Sequence, residues 1–429
     1  MTDPKVPHAP SRRDFLKTAA VGGAVVAPFG LLQHAHAAGN ETLKIGLVGC
    51  GGRGTGAAEN ACEASEGVVI HAMGDLFADH LNNARASLKK NEKCQGKFDV
   101  ADDRCFVGFD AYKKVIDSGV DLVILASPPG FRPQMLEYAI AQGKHVFTEK
   151  PVCVDPAGYR KVIKAAAAAK EKGLGVVAGT QRRHQASYLE SMKRIHGGEL
   201  GEITSARCYW NQGGLWKRDR ESSWSDMEWQ VRNWLYFVWL SGDHIVEQHV
   251  HNIDVMNWAL DAVPVKAVGL GGRQTRTGAE YGHIFDHFAI DYEYPNGVHV
   301  LSEARQIDNT QGNVSEAVVG TKGTWASGPP HRFRVGGKMS AVRDTNKPYV
   351  TEHTDLVKSI RAGKPLNELK TVADSCLTAV MGRMAAYTGK EVSWDFLVNE
   401  SKLDTFPKEL SFGKIAVPPV AKPGETELV

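Results

Sequence analysis

The sequence lacks the features that would direct it to nucleic acid or to a charged membrane surface. Its 429 residues carry 51 Lys and Arg against 49 Asp and Glu, which gives a formal net charge of +2. Beyond residue 37 it contains no basic block, no internal repeat and no apolar run long enough to span a membrane. A neutral balance of this kind gives no support for nucleic-acid or anionic-lipid partners.

Cysteine is scarce and does not form the patterns typical of metal or redox sites. Seven cysteines are present, an odd number, and no two of them are spaced C-x-x-C. Cys94 and Cys105 flank a polar excursion and can pair after export, although a chain that folds in a reducing cytoplasm does not need a disulfide. His244, His249 and His251 lie close together, but His249 and His251 point to different faces of a helix, so we predict no metal site.

An export signal accounts for residues 1–37. Arg12 and Arg13 form a twin-arginine pattern, a short apolar run follows, and the stretch ends in an A-x-A site that predicts cleavage after about Ala37. We therefore expect a periplasmic or otherwise exported protein, and the twin-arginine export machinery as a partner. Because this route carries folded proteins, we expect a cofactor loaded in the cytoplasm to be tightly bound.

A glycine turn at the start of the remaining chain carries the clearest chemistry. The stretch LKIGLVGCGGRG, residues 43–54, reads as a short strand followed by Gly49, Gly51 and Gly54 in G-x-G-x-x-G spacing. Such glycines allow a tight turn, close approach of a pyrophosphate to the backbone, and close packing of the next helix. A second strand ends on Asp75, about twenty residues past the turn, where a ribose-binding carboxylate is expected. We predict a dinucleotide site that also involves Gly52 and Arg53.

Alternation of strand and helix continues and predicts a doubly wound parallel sheet. The run from Asp121 to Ala126 is apolar without alternation, which is typical of a parallel strand covered on both faces. Ser127 and Pro128 follow at its carboxyl end, where open α/β sheets bind ligands. The next strand leads to Glu149-Lys150-Pro151. A lysine there can accept or donate a proton beside the dinucleotide, although spacing alone is equally compatible with a solvated surface lysine.

Four segments in this order resemble the Gfo/Idh/MocA oxidoreductase family. They are VGCGGRG, DLVILASPPG, GKHVFTEKP and GTQRRH, and the resemblance covers roughly residues 42–397. It implies an N-terminal Rossmann domain (42–182) and a C-terminal α/β domain (183–429) with an open, mostly antiparallel sheet. It also implies that helices near 351–387 pack back on the first domain. Arg132 is a departure, because many members have a histidine after the P-P-G turn.

The resemblance also assigns roles to individual residues. It implies that Lys150 is the catalytic lysine, that Glu149 shapes the nicotinamide site, and that Gln181 and Arg182 contact the nicotinamide end of the cofactor. The family carries Asp-x-x-x-His on a helix of the second domain, and its histidine points at the reacting carbon. Here His251 matches that histidine, and Glu247 stands where the aspartate is usual.

The second domain contains an aromatic and polar segment suited to a sugar. Trp210 and Trp216 stand among Asn, Lys and Arg residues, and the apolar face of a pyranose stacks on such rings. We predict Trp210, Trp216, Arg232 and Asp254 as substrate contacts, while the stretch 229–240 is also typical of a buried helix. At helical spacing Glu247, His251 and Asp254 share one face of a single helix, although a solvated polar face fits the same spacing.

These observations predict an exported oxidoreductase that moves a hydride between a sugar, glycoside or polyol and tightly bound NAD(H). Asp75 favours NAD over NADP, since Leu76 and Phe77, not Lys or Arg, follow it. One alternative is an NAD-dependent glycoside hydrolase that acts through transient C3 oxidation and elimination. Another is a nucleotide-bound protein without catalysis. We expect a homodimer or homotetramer built on the outer face of the second sheet.

Overall fold

Six parallel strands form the first sheet, and the computed structural model describes the chain from residue 42 to residue 429. The strands lie in the order β3-β2-β1-β4-β5-β6. Their bounds are β1 Leu43–Val48, β2 Val68–Asp75, β3 Cys105–Val107, β4 Leu122–Leu125, β5 His145–Thr148 and β6 Val176–Ala178. The predicted export signal, residues 1–37, lies outside the described residues.

Helices cover both faces of this sheet, and the strands are apolar for that reason. Leu47 and Ile124 belong to one buried cluster, whereas Val48 and Val123 belong to another. Successive side chains of each strand therefore enter different cores, as period-two geometry requires. The helices of this part are α1 Gly52–Ala64, α2 Ala78–Lys90, α3 Ala111–Asp117, α4 Arg132–Ala141 and α5 Pro156–Glu171.

The second sheet has nine strands and is mostly antiparallel. Its order is β14-β13-β12-β11-β7-β10-β9-β8-β15, and β7 pairs with β10 in parallel. The bounds are β7 Ile203–Gln212, β8 Lys266–Gly272, β9 His287–Glu293, β10 His299–Gln306, β11 Asn313–Gly320, β12 Gly323–Ala326, β13 His331–Val335, β14 Lys338–Val342 and β15 Val392–Ser393. A Rossmann sheet followed by a mixed, mostly antiparallel sheet confirms the predicted fold class.

Seven further helices surround the second sheet and join it to the first. They are α6 Ala186–His196, α7 Asp226–Arg232, α8 Val238–Ser241, α9 His244–Glu247, α10 Val250–Leu260, α11 Pro348–Arg361 and α12 Leu369–Thr388. Helix α11 packs against α1, and its Leu356 and Ile360 are buried in the same cluster as Leu47. Helix α12 contacts both α5 and β8. The two sheets are thus connected by apolar packing through late parts of the chain.

The structure adds one hairpin that the sequence analysis did not contain and answers one question that it left open. The hairpin of β13 and β14 was not expected, because its outward side chains are charged or polar and mask the alternation of His331, Phe333 and Val335. All seven cysteines are free thiols, so Cys94 and Cys105 do not form the disulfide that the sequence left open. The Cys94 thiol contacts Cys62 instead. Within residues 42–429 no helix combines the length and the apolar character needed to cross a membrane.

Candidate active site

The glycine turn between β1 and α1 is shaped by two glycines and left open by two others. Gly49 has a φ of 91°, and a Cβ there would lie 2.5 Å from the Ala126 carbonyl carbon. A Cβ on Gly54 would lie 1.8 Å from the Gly49 oxygen. On Gly51 or Gly52 it would meet no atom within 4 Å. The first pair therefore permits the turn, and the second pair leaves room for a pyrophosphate to approach the backbone.

The amino end of α1 suits an anion. The helix begins at Gly52, its N-cap is Gly51, and no side chain caps it. The first N–H groups and the positive end of the helix dipole are consequently available to phosphate oxygens. The residues of this turn therefore fit a dinucleotide.

Asp75 ends β2 with its carboxylate held by the backbone. It accepts hydrogen bonds from the Cys50 N–H at 2.6 Å and from the Phe77 N–H at 2.8 Å. The His80 Nδ1 atom lies 3.6 Å from the same carboxylate, and this contact raises the pKa of His80. A carboxylate fixed in this way retains free lone pairs for ribose hydroxyl groups.

One cavity of about 630 Å³ runs from the glycine turn to the second domain. Most of the residues predicted for cofactor or substrate line it. They are Gly49, Gly51, Gly52, Arg53, Gly54, Asp75, Ser127, Pro128, Glu149, Lys150, Gln181, Trp210, Trp216, Arg232, Glu247 and His251. Arg182 and Asp254 do not line it.

Lys150 follows β5 and is held by a residue 97 positions away. Its Nζ atom lies 2.8 Å from Glu247 Oε1 and donates to the Glu247 carbonyl oxygen at 2.5 Å. Both side chains are largely buried. Lys150 is therefore not the solvated surface lysine that spacing alone allowed. Its ammonium is fixed beside the cavity by a carboxylate from the second domain.

His251 and Glu247 do not share one helix, which corrects the sequence analysis. Glu247 is the last residue of the short helix α9, and α10 begins at Val250. The break follows from a wide turn, in which the N–H groups of Gln248 and His249 both donate to the His244 carbonyl. Glu247 and His251 still reach the same cavity, because the two helices follow each other closely around its wall.

His251 lies in surroundings that favour its neutral imidazole form. Its ring stacks on Trp210 with centroids 5.8 Å apart and an interplanar angle of 23°. Burial, followed by the charges of Lys150 and Arg182, lowers the pKa of His251 well below its usual value. Its Nδ1 atom is buried and has no hydrogen-bond partner among the described residues. The His251 side chain also lines the cavity.

Two of the predicted site residues form ion pairs beside the cavity. The Asp254 carboxylate accepts hydrogen bonds from Nε and Nη2 of Arg183, both at 2.8 Å. It also accepts a hydrogen bond from the Ser375 hydroxyl at 2.7 Å. Arg182 pairs with the buried Glu316, and its guanidinium lies near the Trp210 ring. Arg182 thus supports a cavity residue from behind.

Arg132 has a structural explanation for replacing a histidine. Its guanidinium is buried and donates to the Pro151 oxygen at 2.6 Å and to the Ser127 oxygen at 2.5 Å. Burial lowers the pKa of Arg132 to about 10, so the group stays charged. One side chain therefore ties the turn after β4 to the Glu149-Lys150-Pro151 turn.

Arg232 lines the cavity close to the residues that follow Asp75, and its guanidinium also lies 5.2 Å from the Trp224 ring. Its guanidinium pairs with Asp79 of α2 at 3.0 and 3.1 Å. The cavity wall also contains Trp216, which is 45% exposed and meets Trp234 edge to face at 6.0 Å. Trp234 was expected to be core, yet it lines the cavity.

Sequence reasoning missed several cavity residues that come from distant parts of the chain. They include Phe77, His80, Phe109, Arg218, Gln248 and Tyr349. Phe77 and His80 had a local signal, since they lie two and five residues past Asp75, and so did Arg218, which lies two residues past Trp216. Tyr349 comes from α11 and lies 5.2 Å from the Arg53 guanidinium, a contact that no sequence pattern indicates.

Comparison with known proteins gives three matches along the chain. Residues 43–178 match the oxidoreductase family described as NAD-binding Rossmann fold, and residues 188–326 match the GFO/IDH/MocA C-terminal domain. Residues 9–28 match the twin-arginine translocation pathway signal sequence. These matches confirm the resemblance to the Gfo/Idh/MocA family and the twin-arginine pattern.

Two curated proteins and one solved structure illustrate the similarity. The chain is 28% identical to 2,7-anhydro-N-acetylneuraminate hydratase of Escherichia coli, over 42% of this chain and 44% of that protein. It is 31% identical to inositol 2-dehydrogenase 4 of Saccharopolyspora erythraea, over 39% and 45%. The aligned part is thus less than half of either relative. Aldose-aldose oxidoreductase from Caulobacter crescentus has the same fold, with a TM-score of 0.65, 18% identity, and coverage of 82% of this chain and 100% of that one.

Proposed function

From the membership of this chain in the Gfo/Idh/MocA oxidoreductase family, we propose that it moves a hydride between a sugar, glycoside or polyol and a bound NAD(H). The observation that carries the proposal is the continuity of the cavity. The same space is lined by the glycine turn at one end and by Lys150, Glu247 and His251 at the other. A nucleotide on the turn would direct its nicotinamide toward those three side chains.

Lys150 and His251 are the residues we assign to the substrate oxygen. When bound, the nicotinamide supplies the hydride acceptor or donor. The Lys150 ammonium, fixed by Glu247 at 2.8 Å, holds and polarises the oxygen of the reacting carbon. His251 lines the same cavity, and the lowered pKa favours its neutral form, so this imidazole is suited to exchange the hydroxyl proton. Glu149 stays ion-paired with Arg53 at 3.0 Å and helps shape the wall of the cavity.

The charges at the ribose end support NAD rather than NADP. Asp75, Asp79 and Glu228 provide three carboxylates there. Arg232 is already paired with Asp79 and with Glu228, the latter at 2.9 Å. His80 is in turn engaged by Asp75. A 2′-phosphate would meet a surplus of negative charge, whereas two ribose hydroxyls would find an acceptor in Asp75.

The other end of the cavity supports a carbohydrate or polyol as substrate. Trp210 and Trp216 offer apolar ring faces, and Arg218 and the amide nitrogen of Gln248 offer hydrogen-bond donors in the same cavity. A pyranose or an inositol ring has the matching combination of apolar C–H faces and polar edges. The inositol dehydrogenase relative has a substrate of this class by name.

The hydratase relative gives one specific reason to keep a second candidate. Hydration and glycoside hydrolysis are both reactions without net oxidation, and a transient oxidation at C3 permits elimination of an aglycone. The same Lys150 and His251 would serve that route. This NAD-dependent glycoside hydrolase is therefore the alternative that the experiment below must separate.

The signal at residues 9–28 supports export by the twin-arginine route. We propose cleavage after about Ala37, a periplasmic or otherwise extracytoplasmic destination, and loading of the nucleotide before export. We also propose a homodimer or homotetramer, because β8 and β10 expose apolar side chains on their outer face. Leu270 is 77% exposed and Leu301 is 41% exposed.

The test uses mature protein purified with the nucleotide that it retains. Sugars, glycosides and inositols are added without an external electron acceptor, and the near-ultraviolet absorbance of reduced nicotinamide is followed together with release of aglycone. We expect reduced nicotinamide to accumulate, to at most one equivalent per site, with the true substrate. Aglycone release without a lasting change in the nucleotide would favour the hydrolase. Absence of both across the panel, from protein that retains nucleotide, would favour a protein without catalysis.

A further inference from the structure

The second domain reaches across to the first at the ribose end of the cavity. Arg232, the last residue of α7, makes two contacts of 3.0 and 3.1 Å with the Asp79 carboxylate on α2. Glu228 of α7 holds the same guanidinium at 2.9 Å. The Arg232 side chain is only 16% exposed. This ion pair therefore joins two elements that are 153 residues apart in the sequence.

The Arg232 guanidinium also covers an aromatic ring of the first domain. It lies 3.8 Å from the centroid of Phe77 and 5.2 Å from the centroid of Trp224. Cation–π contacts of this length contribute beyond simple packing. Phe77 stands two residues after Asp75, and its N–H donates to that carboxylate. The Arg232–Phe77 contact is thus linked by a hydrogen bond to Asp75, the residue proposed to bind the ribose.

A late segment of the chain also packs against Phe77. Phe412 stacks against Phe77 with centroids 6.0 Å apart, and it lies 5.1 Å from the Phe109 ring. The segment is fastened to α7, because Met227 donates its N–H to the Gly413 oxygen at 3.1 Å. The contacts of Arg232 and of Phe412 with Phe77 consequently both depend on α7 of the second domain.

We propose that Phe77, Asp79, Arg232 and Phe412 form an adenosine clamp that retains the nucleotide. The inference rests on the proposed function, since it needs a dinucleotide in the cavity. Phe77, Phe109 and Arg232 line the cavity beside Asp75, so they enclose its ribose end from both domains. A nucleotide bound there leaves only after the Arg232–Asp79 pair and the Phe77–Phe412 contact have separated. The clamp thus gives slow dissociation, which an exported protein needs because nicotinamide nucleotides are scarce outside the cytoplasm.

The test measures how fast the nucleotide dissociates from the full mature protein. Sites are filled with NADH, an excess of NAD is added, and loss of the bound NADH fluorescence is recorded without any sugar. We expect Arg232→Met, which keeps an apolar stem and removes the charge, to release NADH at least tenfold faster. The matched control is Arg220→Met, because Arg220 pairs with Asp226 at 2.7 Å within the second domain. Its release rate should equal that of the wild type.

A double-mutant cycle identifies the ion pair as the cause. Asp79→Asn should also speed release, but by no more than Arg232→Met, because Arg232 keeps its contact with Phe77 in that variant. The double variant should be no faster than Arg232→Met, because both lack the Arg232–Asp79 pair. Additive effects would overturn the clamp. Phe412→Ala gives an independent arm, since that ring is 50% exposed and its loss does not open the core. It should also speed release by several fold.

The outcomes separate the clamp from the proposed function. If the protein binds and reduces its nucleotide, but Arg232→Met, Asp79→Asn and Phe412→Ala all release it at the wild-type rate, the clamp is wrong and the proposed function stands. If the wild-type protein binds no dinucleotide at all, the proposed function fails and the clamp fails with it. Melting curves of each variant establish that a faster release does not reflect unfolding.

Discussion

The two ends of the cavity are built in opposite ways. At the phosphate end, Gly49, Gly51 and Gly54 lie within six consecutive residues, and the site consists of backbone. At the reacting end, the Lys150 ammonium depends on Glu247, which is 97 residues away and belongs to the other domain. The first end is a property of one local turn, whereas the second exists only when both domains are packed.

The difference has a consequence for how each end responds to change. A backbone site is lost when a side chain is added where there is no room, so its sensitive residues are glycines. A side-chain site is lost when a partner is removed, because the remaining charge is left buried and unpaired. Substitutions at the two ends should therefore separate nucleotide binding from chemistry.

Lys150→Met should have the largest effect, and that effect should be confined to the rate of hydride transfer. We expect hydride transfer to drop by roughly 10³-fold, in the range for loss of a positioned donor to the reacting oxygen. Nucleotide retention should persist, since the glycine turn is untouched. Single-turnover absorbance gives the rate, and nucleotide released on denaturation gives the occupancy.

The control for Lys150→Met is Lys172→Met. Lys172 also donates to backbone carbonyls, those of Ile140 and Ala141 at 2.9 Å, but it does not line the cavity. Its rate should be unchanged. Equal loss of rate in both variants, or loss of nucleotide from Lys150→Met, would contradict the division between the two ends.

Gly49→Ala and Gly51→Ala should differ in what they change: the first should lower the stability of the fold, and the second should lower the affinity for the nucleotide. Alanine at position 49 combines a φ of 91° with a Cβ 2.5 Å from backbone atoms, so we expect a loss of about 3 kcal/mol in unfolding free energy. Alanine at position 51 meets no atom within 4 Å. Its unfolding free energy should be unchanged, while nucleotide affinity should fall at least tenfold.

Urea unfolding and nucleotide titration distinguish the two glycine variants. If Gly51→Ala binds nucleotide as well as the wild type does, the open space at that residue does not receive the pyrophosphate. If Gly49→Ala is as stable as the wild type, the turn can relax in a way that the backbone distances do not suggest.

Glu247→Gln should lower the rate of hydride transfer by roughly 30-fold, or about 2 kcal/mol, because the neutral amide no longer fixes the Lys150 ammonium. Glu247→Asp keeps the charge with a shorter reach, so it should restore part of the rate. Nucleotide affinity should be equal in all three proteins. A Gln variant as fast as the wild type would remove Glu247 from the site.

His184 should give the smallest effect, a pH dependence of stability at the junction of the domains. Burial opposes its charged form, but hydrogen bonds to Asp355 at 2.7 Å and to Glu368 raise its pKa from the usual 6.5 to about 9. The charged form is thus favoured by folding. Its contribution is fully present below pH 6.5 and is lost as the pH rises through about 9.

The raised pKa of His184 corresponds to a contribution of roughly 3 kcal/mol to the free energy of unfolding. Solvent screening at the half-exposed Asp355 reduces this contribution to about 1 to 2 kcal/mol. Unfolding free energies between pH 6 and pH 10 should decline by that amount in the wild type and not in His184→Gln. The exposed His299→Gln serves as control and should keep the decline. An unchanged slope in His184→Gln would mean that other groups cause it.

Much of the fold and the phosphate end of the site could be predicted from the sequence. The order of strands and helices around Leu43–Gly54 and Asp121–Ala126 follows from local apolar runs and turn residues, and the glycine spacing has a steric meaning that needs no tertiary contact. The helix expected over Glu247, His251 and Asp254 was wrong, because periodicity alone did not indicate the break before Val250. Periodicity also did not indicate that Trp234, within a mostly buried stretch, lines the cavity, since the direction of a side chain depends on what packs beside it.

The sequence by itself determined where this protein makes its glycine turn, which residues form buried strands, and which segment matches a twin-arginine signal. Those properties depend on neighbours within a few residues, through sterics and periodicity. Only the tertiary structure decided that Glu247 meets Lys150, that Arg132 ties two turns together, and that Arg232 closes over Phe77 beside Asp75. Such contacts join residues from different elements, so they are set by how the two sheets pack, and no local pattern encodes that arrangement.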